Sequence, residues 1–239
     1  MNPIAKNELA PAGKLRVGVN LGNFLLVNKD PASGAPRGIV PDLAQELGRR
    51  LGAQVELVTF AGAGETADGA RAGTWDVAFI GAEPQRAEQI AFTPAYLEIP
   101  ATYLVPAGSS IQSLAEVDRP GVRIAVSARS AYDLFLSRNL KHAQLMRAEG
   151  IPASYDLFVA EKLEVLAGLL PRLVTEVERL PGARVLEGKF TAVQQAVGTP
   201  KARTQGAAWL RDFVADIKAT GLVAQLIERH KARGVTVAP

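Results

Sequence analysis

The sequence has no cysteine and only two histidines, His142 and His230, among its 239 residues. Disulfides, cysteine nucleophiles and zinc sites of the Cys/His kind are thereby excluded or nearly so. Freedom from cysteine is compatible with either redox compartment. No apolar run reaches the ~18 residues needed to span a bilayer. No long run of like charge exists either. Lys+Arg number 27 against Asp+Glu 24, interleaved along the chain, so the net +3 offers neither a nucleic-acid arm nor a basic membrane patch. The phosphate-loop pattern G-x-x-x-x-G-K-(S/T) and the serine-hydrolase pattern G-x-S-x-G are both missing. Aromatics make up only 6%, but 48% apolar and 21% charged residues exclude a disordered or collagen-like chain. The length allows one to two domains with a full core.

What is present has a β-then-α rhythm. Residues 1–13, with Pro3, Pro11 and Gly13, read as a loose leader lacking an apolar run. Either the protein is not exported or a signal peptide has been removed. Lys14 to Val19 alternates as a strand, and 28–38, rich in Gly and Pro, reads as a loop. Pro41 opens a helix in which Leu43, Leu47 and Leu51 recur every fourth residue and Gly52 is the stop. A strand at 54–60, a helix to Arg71 and an apolar strand at 76–80 complete βαβαβ, the order of a parallel sheet. The rhythm restarts after Val105-Pro106. Strands are predicted at 122–126, 145–148, 163–167, 183–186 and 191–197, with helices at 130–139, 155–162 and 171–180. Two amphipathic helices follow, one with Leu210, Phe213, Val214 and Ile217, the other with Leu222, Val223, Leu226 and Ile227. Two α/β lobes account for this doubling.

One short motif suggests a dinucleotide. Gly62, Gly64 and Ala67 match G-x-G-x-x-A between a predicted strand and helix, and Glu83 lies where a ribose-binding acid would sit. The competing use is a flexible loop after the second strand, and the dinucleotide motif belongs after the first. A stronger constellation runs from Gly73 to Tyr96. Its strand ends at Gly81 and Arg86 follows just beyond. An arginine at the C-terminal edge of a parallel strand is placed to hold a carboxylate by two charge-assisted hydrogen bonds.

Several blocks in order resemble the amino-acid-type extracellular solute-binding proteins of family 3, the periplasmic binding proteins of ABC importers. They are Lys14-Leu-Arg-Val-Gly18, the helix block Gly38 to Gly52 containing Pro41-Asp42-Leu43-Ala44, Gly73 with Asp76, and Arg86 to Tyr96. Ser113-Leu114 and the turn from Ser127 to Tyr132 match more thinly, and beyond about residue 140 only the element order does. The resemblance implies a two-lobe α/β fold, each lobe a mostly parallel sheet flanked by helices, joined by two hinge strands. Lobe 1 would take residues 1–103 and 193–239, and lobe 2 residues 104–192. It implies a monomer that captures a small carboxylate-bearing ligand by hinge closure and delivers it to an ABC permease. Such a protein is no enzyme, needs no cofactor or metal, inserts in no membrane and is periplasmic. An enzyme on the same fold, resembling cyclohexadienyl dehydratases, is the alternative, with Glu83 or Glu98 as general acid.

Carried over residue by residue, Arg86 matches the carboxylate clamp, and Ser130 with the Ala131 N–H complements it from a lobe 2 helix start. Asn23 and Phe24 fall among cleft-lining positions, with core packing an equal use for Phe24. Gly81 and Glu83 belong to the loop that meets the amino group. Tyr132, Glu98 and Gln194 complete the candidate ligand-binding set. Gln194 and Gln195 point to opposite faces of one strand, so one of the two can face the ligand. Three departures stand out. The loop between Gly81 and Arg86 is short and has no Ser or Thr. Arg129 stands where the family has glycine. Leucine, at Leu169-Leu170, stands where the family places the acid that holds an α-ammonium. The expected ligand is therefore a small carboxylate, with the amine left open.

Overall fold

The computed structural model describes residues 3–239. In chain order the elements are α1 (Pro3–Leu9), β1 (Lys14–Asn20), β2 (Asn28–Lys29), β3 (Pro36–Arg37), α2 (Ile39–Leu51), β4 (Gln54–Phe60), α3 (Ala63–Ala72), β5 (Val77–Gly81) and β6 (Ile90–Val105). Then come β7 (Arg123–Ser127), α4 (Ala131–Asn139), β8 (Gln144–Ala148), α5 (Ile151–Ala160), β9 (Val165–Leu169), α6 (Leu170–Val177) and β10 (Arg184–Val185). The chain closes with β11 (Thr191–Pro200), α7 (Thr204–Ala219), α8 (Leu222–Arg229) and β12 (Thr236–Val237).

These elements form two compact units. Unit 1 holds residues up to Glu98 and from Gln194 onward, and unit 2 holds Ile99–Val193. The chain passes between them within β6 and again within β11. In unit 1, β4, β1 and β5 run parallel in that order, and β11 joins β5 antiparallel, with Gln195 opposite Gly81. In unit 2, β9, β7 and β8 run parallel, and residues 101–104 of β6 join β9 antiparallel, with Ala101 opposite Leu169. Each unit is thus three parallel strands bordered by an antiparallel one, the mixed α/β sheet of the two-lobe periplasmic-binding-protein fold.

The helices form where the apolar periodicity places them. Leu43, Leu47 and Leu51 of α2 are fully buried beside Leu15, Val17 and Val19 of β1. Gly52 ends α2 in the left-handed conformation, φ 57°, its N–H returned to the Arg49 carbonyl. In α7, Leu210, Phe213, Val214 and Ile217 are all buried. The core of unit 2 gathers Leu104, Ala125, Phe158, Leu163, Leu166 and Leu173.

Two expectations for the termini and loops are corrected. Residues 3–9 are no loose leader but helix α1. Ala5 and Leu9 are buried, α1 packs on α7, and Glu8 Oε2 accepts the Gly206 N–H at 2.7 Å near the start of α7. The 28–38 loop contains the short antiparallel pair β2–β3. The helix around Pro41 starts two residues earlier than expected, at Ile39. Pro41 is tolerated because first-turn N–H groups have no intrahelical acceptor.

Candidate ligand-binding site

The same ionic clasp fixes the strands in both units. Arg16 of β1 donates from its N–H and Nε to Asp76 Oδ2 at 3.0 Å and from Nη2 to Oδ1 at 2.8 Å, and its Nη1 reaches the Gly73 carbonyl. Arg203 adds a second guanidinium to Asp76 at 2.8 Å. Arg123 of β7 repeats the pattern on Glu164, with N–H and Nε to Oε2 and Nη2 to Oε1, and it also reaches the Lys162 carbonyl. Both clasps sit at the N-terminal ends of the parallel strands. The loops at the C-terminal ends, where open α/β sheets take ligands, are left to carry the site.

At that edge of unit 1, β5 ends in buried Gly81 and the chain turns through Glu83 into a short 3-10 turn, Arg86–Glu88. Arg86 is only 6% exposed, and its Nη1 donates to the Gly81 carbonyl at 2.7 Å, which fixes the guanidinium against the strand end. The Ala82 N–H donates to the Gln194 carbonyl at 2.7 Å, and Gln194 Nε2 donates to Glu98 Oε2 at 2.9 Å. Gln195, the next residue, is buried. Beyond β1, Asn23 is buried and its Oδ1 has no hydrogen-bond partner, while Phe24 is half-buried. Gly81, Glu83, Arg86, Gln194, Glu98, Asn23 and Phe24 all therefore belong to unit 1.

Ser130, Ala131 and Tyr132 belong to unit 2. Ser130 caps α4, its Oγ accepting the Asp133 N–H at 3.1 Å, and Ala131 opens the helix. Arg129 before it adopts φ 56°, a conformation strained for any residue with a Cβ. Tyr132 is buried, which pushes its phenol up to about 12 against the opposing hydrogen bonds of Ser130 and Ser127. Arg172 lies outside the set the sequence suggests, and Ser127 enters it only as the first residue of a thinly matching turn. Ser127 is the last residue of β7 and Arg172 lies in the first turn of α6, just after β9, so a rule that marks the C-terminal end of every parallel strand would include both. An aromatic group was also missed: Phe190 stacks on Tyr103 at 4.5 Å and on Phe135 at 5.9 Å between ring centroids.

The Gly62–Ala67 motif serves a different end from the dinucleotide reading. Gly62 has extended backbone and caps α3, and Glu65 Oε2 accepts the Ala61 N–H at 3.1 Å. The chain's own carboxylate thus occupies the helix start that would face a pyrophosphate, on the outer strand β4. Among the described residues, no group of three His, Asp or Glu side chains could hold a metal, and no helix is long and apolar enough to cross a membrane.

Residues 15–232 match the family model of bacterial extracellular solute-binding proteins, family 3. No curated protein matches significantly. Among solved structures, the cysteine-binding protein from Campylobacter jejuni is 16% identical with a TM-score of 0.79, and the alignment covers 100% of both chains. The L-cysteine solute receptor of Neisseria gonorrhoeae is 21% identical at a TM-score of 0.78, covering 95% of this chain and 92% of that one. An ancestral amino acid-binding protein, AncCDT-1, a precursor of cyclohexadienyl dehydratase, is 21% identical at 0.75, covering 94% and 98%. These likenesses establish a shared fold.

Proposed function

Because the chain belongs to the bacterial extracellular solute-binding proteins of family 3, we propose that it captures a small carboxylate-bearing solute, an amino acid or organic acid, outside the cytoplasm for an ABC-type permease. The buried guanidinium of Arg86 carries this reading. It stands at the C-terminal end of a parallel strand, oriented by the Gly81 carbonyl, as a two-point carboxylate clamp requires. Ser130 and the Ala131 N–H supply the complementary contact from unit 2, and Asn23, Phe24, Tyr132, Glu83, Glu98 and Gln194 line the ligand. The two crossings of the chain, in β6 and β11, support closure of the units around it by a hinge.

A thermal-shift screen against amino acids, dicarboxylates and aromatic acids tests this. A ligand at 100 times its Kd adds about 2.7 kcal/mol, on the order of 5–10 °C in midpoint for a chain of this size. Arg86→Ala is expected to abolish the shift given by the best acid. An undiminished shift would remove Arg86 from the site. Prephenate is expected to survive incubation with the protein; its turnover would move the chain into the dehydratase class.

A further inference from the structure

The chain from β1 to β2 has three asparagines, and their side chains have different uses. Asn20 Oδ1 accepts the Gly22 N–H at 2.9 Å, and Asn28 Nδ2 donates to the Phe24 carbonyl at 2.9 Å. Asn23 is only 7% exposed, and its Oδ1 is closed off from solvent and receives no donor. The backbone of Asn23 is braced. Its N–H donates to the Asn20 carbonyl at 3.3 Å, and its carbonyl accepts the Leu26 and Val27 N–H groups at 3.0 and 2.9 Å. The turn thus holds the side chain in place without using its oxygen. A buried acceptor without a donor destabilises a fold, and it calls for a group that completes it.

Asn23 lies at the ligand edge of unit 1. β1 and β5 are parallel neighbours, with Val19 beside Phe79. The turn after β1 and the Gly81–Arg86 loop therefore leave adjacent strands about 4.8 Å apart. Glu83 stands in that loop, and Glu98 is tied to it through Gln194, whose carbonyl meets the Ala82 N–H and whose Nε2 donates to Glu98. Exposed Glu88 adds the same sign of charge, and Lys201, beside the Ala87 carbonyl, the opposite. Glu83 and Glu98 have partners of their own. Once a ligand carboxylate has answered Arg86, their charge still favours a cationic donor over a hydroxyl here.

We propose that Asn23 sets the specificity of the site: its Oδ1 accepts an N–H of the ligand's amine, so the unit that clamps the carboxylate also holds the amine. The inference rests on the reading of Arg86 as that clamp. The amine then needs no acid at the end of β9, where the chain has Leu169 and Leu170. A site with a buried acceptor rejects analogues that lack the donor, because binding them leaves the acceptor unpaired.

Isothermal titration of the full chain with L-alanine, L-leucine and L-glutamate tests this. The comparison acids carry a hydroxyl (lactate, 2-hydroxyisocaproate, 2-hydroxyglutarate) or only hydrogen (propionate, 4-methylpentanoate, glutarate) in place of the amine. The best amino acid is expected to bind at least about tenfold more tightly than either counterpart. Asn23→Leu removes the unpaired acceptor at similar volume, so it is expected to keep or raise the thermal midpoint of the free protein. The same variant is expected to weaken the amino acid about tenfold and to leave the comparison acids within about twofold. Asn23→Asp keeps an acceptor and is expected to hold the amino acid within about threefold of the parent affinity or better. Counterparts that bind as tightly as the amino acids, and lose binding in Arg86→Ala, would overturn the inference and leave the carboxylate reading standing. An unchanged amino acid affinity in Asn23→Leu would also overturn it, since the acceptor would then belong to a water or to the fold. A loss in Asn23→Asp equal to that in Asn23→Leu, with the thermal midpoint kept, would overturn it too. If no acid of the three series gives heat or a thermal shift, the carboxylate reading falls and the inference with it.

Discussion

The two clasps differ in one respect that sets their energetic weight. Asp76 is fully buried, whereas the Glu164 side chain is 35% exposed and its partner Arg123 37% exposed. Asp76→Asn removes the charge that answers two guanidinium groups and turns an amide N–H₂ toward arginine donors. Breaking a buried ion pair on one side costs about 3–5 kcal/mol. Glu164→Gln breaks bonds of the same pattern at a wetter site, where water replaces much of what is lost and about 0.5–1 kcal/mol is expected. The tryptophans make the contrast measurable, because both, Trp75 and Trp209, lie in unit 1. Indole fluorescence during urea unfolding therefore follows unit 1, while far-ultraviolet circular dichroism follows both units. Asp76→Asn is expected to lower the fluorescence midpoint strongly, by an amount equivalent to about 3 kcal/mol or more on linear extrapolation. Glu164→Gln should leave that midpoint within about 1 kcal/mol. Equal shifts from the two substitutions, or a loss below about 1 kcal/mol for Asp76→Asn, would refute the assignment of weight by burial.

Two further outcomes follow from the same contacts. Gly69 lies inside α3, where alanine is normally the better residue by about 0.4–1 kcal/mol, but a Cβ there would come within 2.4 Å of Trp75 Nε1, a buried donor to the Thr66 carbonyl. Gly69→Ala is therefore expected to destabilise unit 1 by about 1–3 kcal/mol, and a raised thermal midpoint would show that the indole can move aside freely. The second outcome concerns acid. The Arg49 guanidinium, with Arg50, holds the Glu46 carboxyl at about 2 against an ordinary 4.5, and burial would push Asp76 up but the bonds of Arg16 hold it below its usual range. A carboxylate depressed in the folded state stabilises fully above its unfolded pKa and loses that contribution as pH falls through its folded value. The urea midpoint should drop between about pH 5 and 2, less steeply in Glu46→Gln, and an equal slope in the two proteins would remove Glu46 from the effect.

Periodic features were legible in the sequence, and features made by distant contacts were not. Leu43, Leu47 and Leu51 declare their helix because burial follows the helical period, and the two closing helices do the same. Helix α1 has no such signal. It is seven residues long, and it forms because Leu9 and Ala5 find α7 and Glu8 finds Gly206, nearly two hundred residues away. The sixteen-residue strand β6 was hidden by Pro94 and Pro100, which argue against a central strand. It persists because its partners change along its length: β12 at Leu97–Glu98, β9 at 101–104 and β10 at 104–105. In the candidate site, the position of Arg86 just beyond an apolar strand was readable. The place of Arg172 just beyond β9 was not, since it follows only from the parallel order of β7 and β9. Gly73 and Asp76, read as a family motif, have a mechanical role that spacing alone could not reveal.

The route of the chain through the two units bears on how it folds as it is made. Unit 2 is one unbroken stretch and has all its strands once residue 193 has been synthesised. Unit 1 begins first and finishes last. Until β11 is made, the edge of β5 has no antiparallel neighbour, and until α7 and α8 are made, α1 lacks the helix it packs on and α2 lacks its contact with α8. At about 5–20 residues per second, synthesis of the intervening unit takes on the order of 10 s. For that time an unfinished parallel sheet carries an open edge, the kind of surface that pairs with other chains. The unit whose segment is made second is therefore the one completed first, and the early strands of unit 1 are the segment most in need of protection during biogenesis.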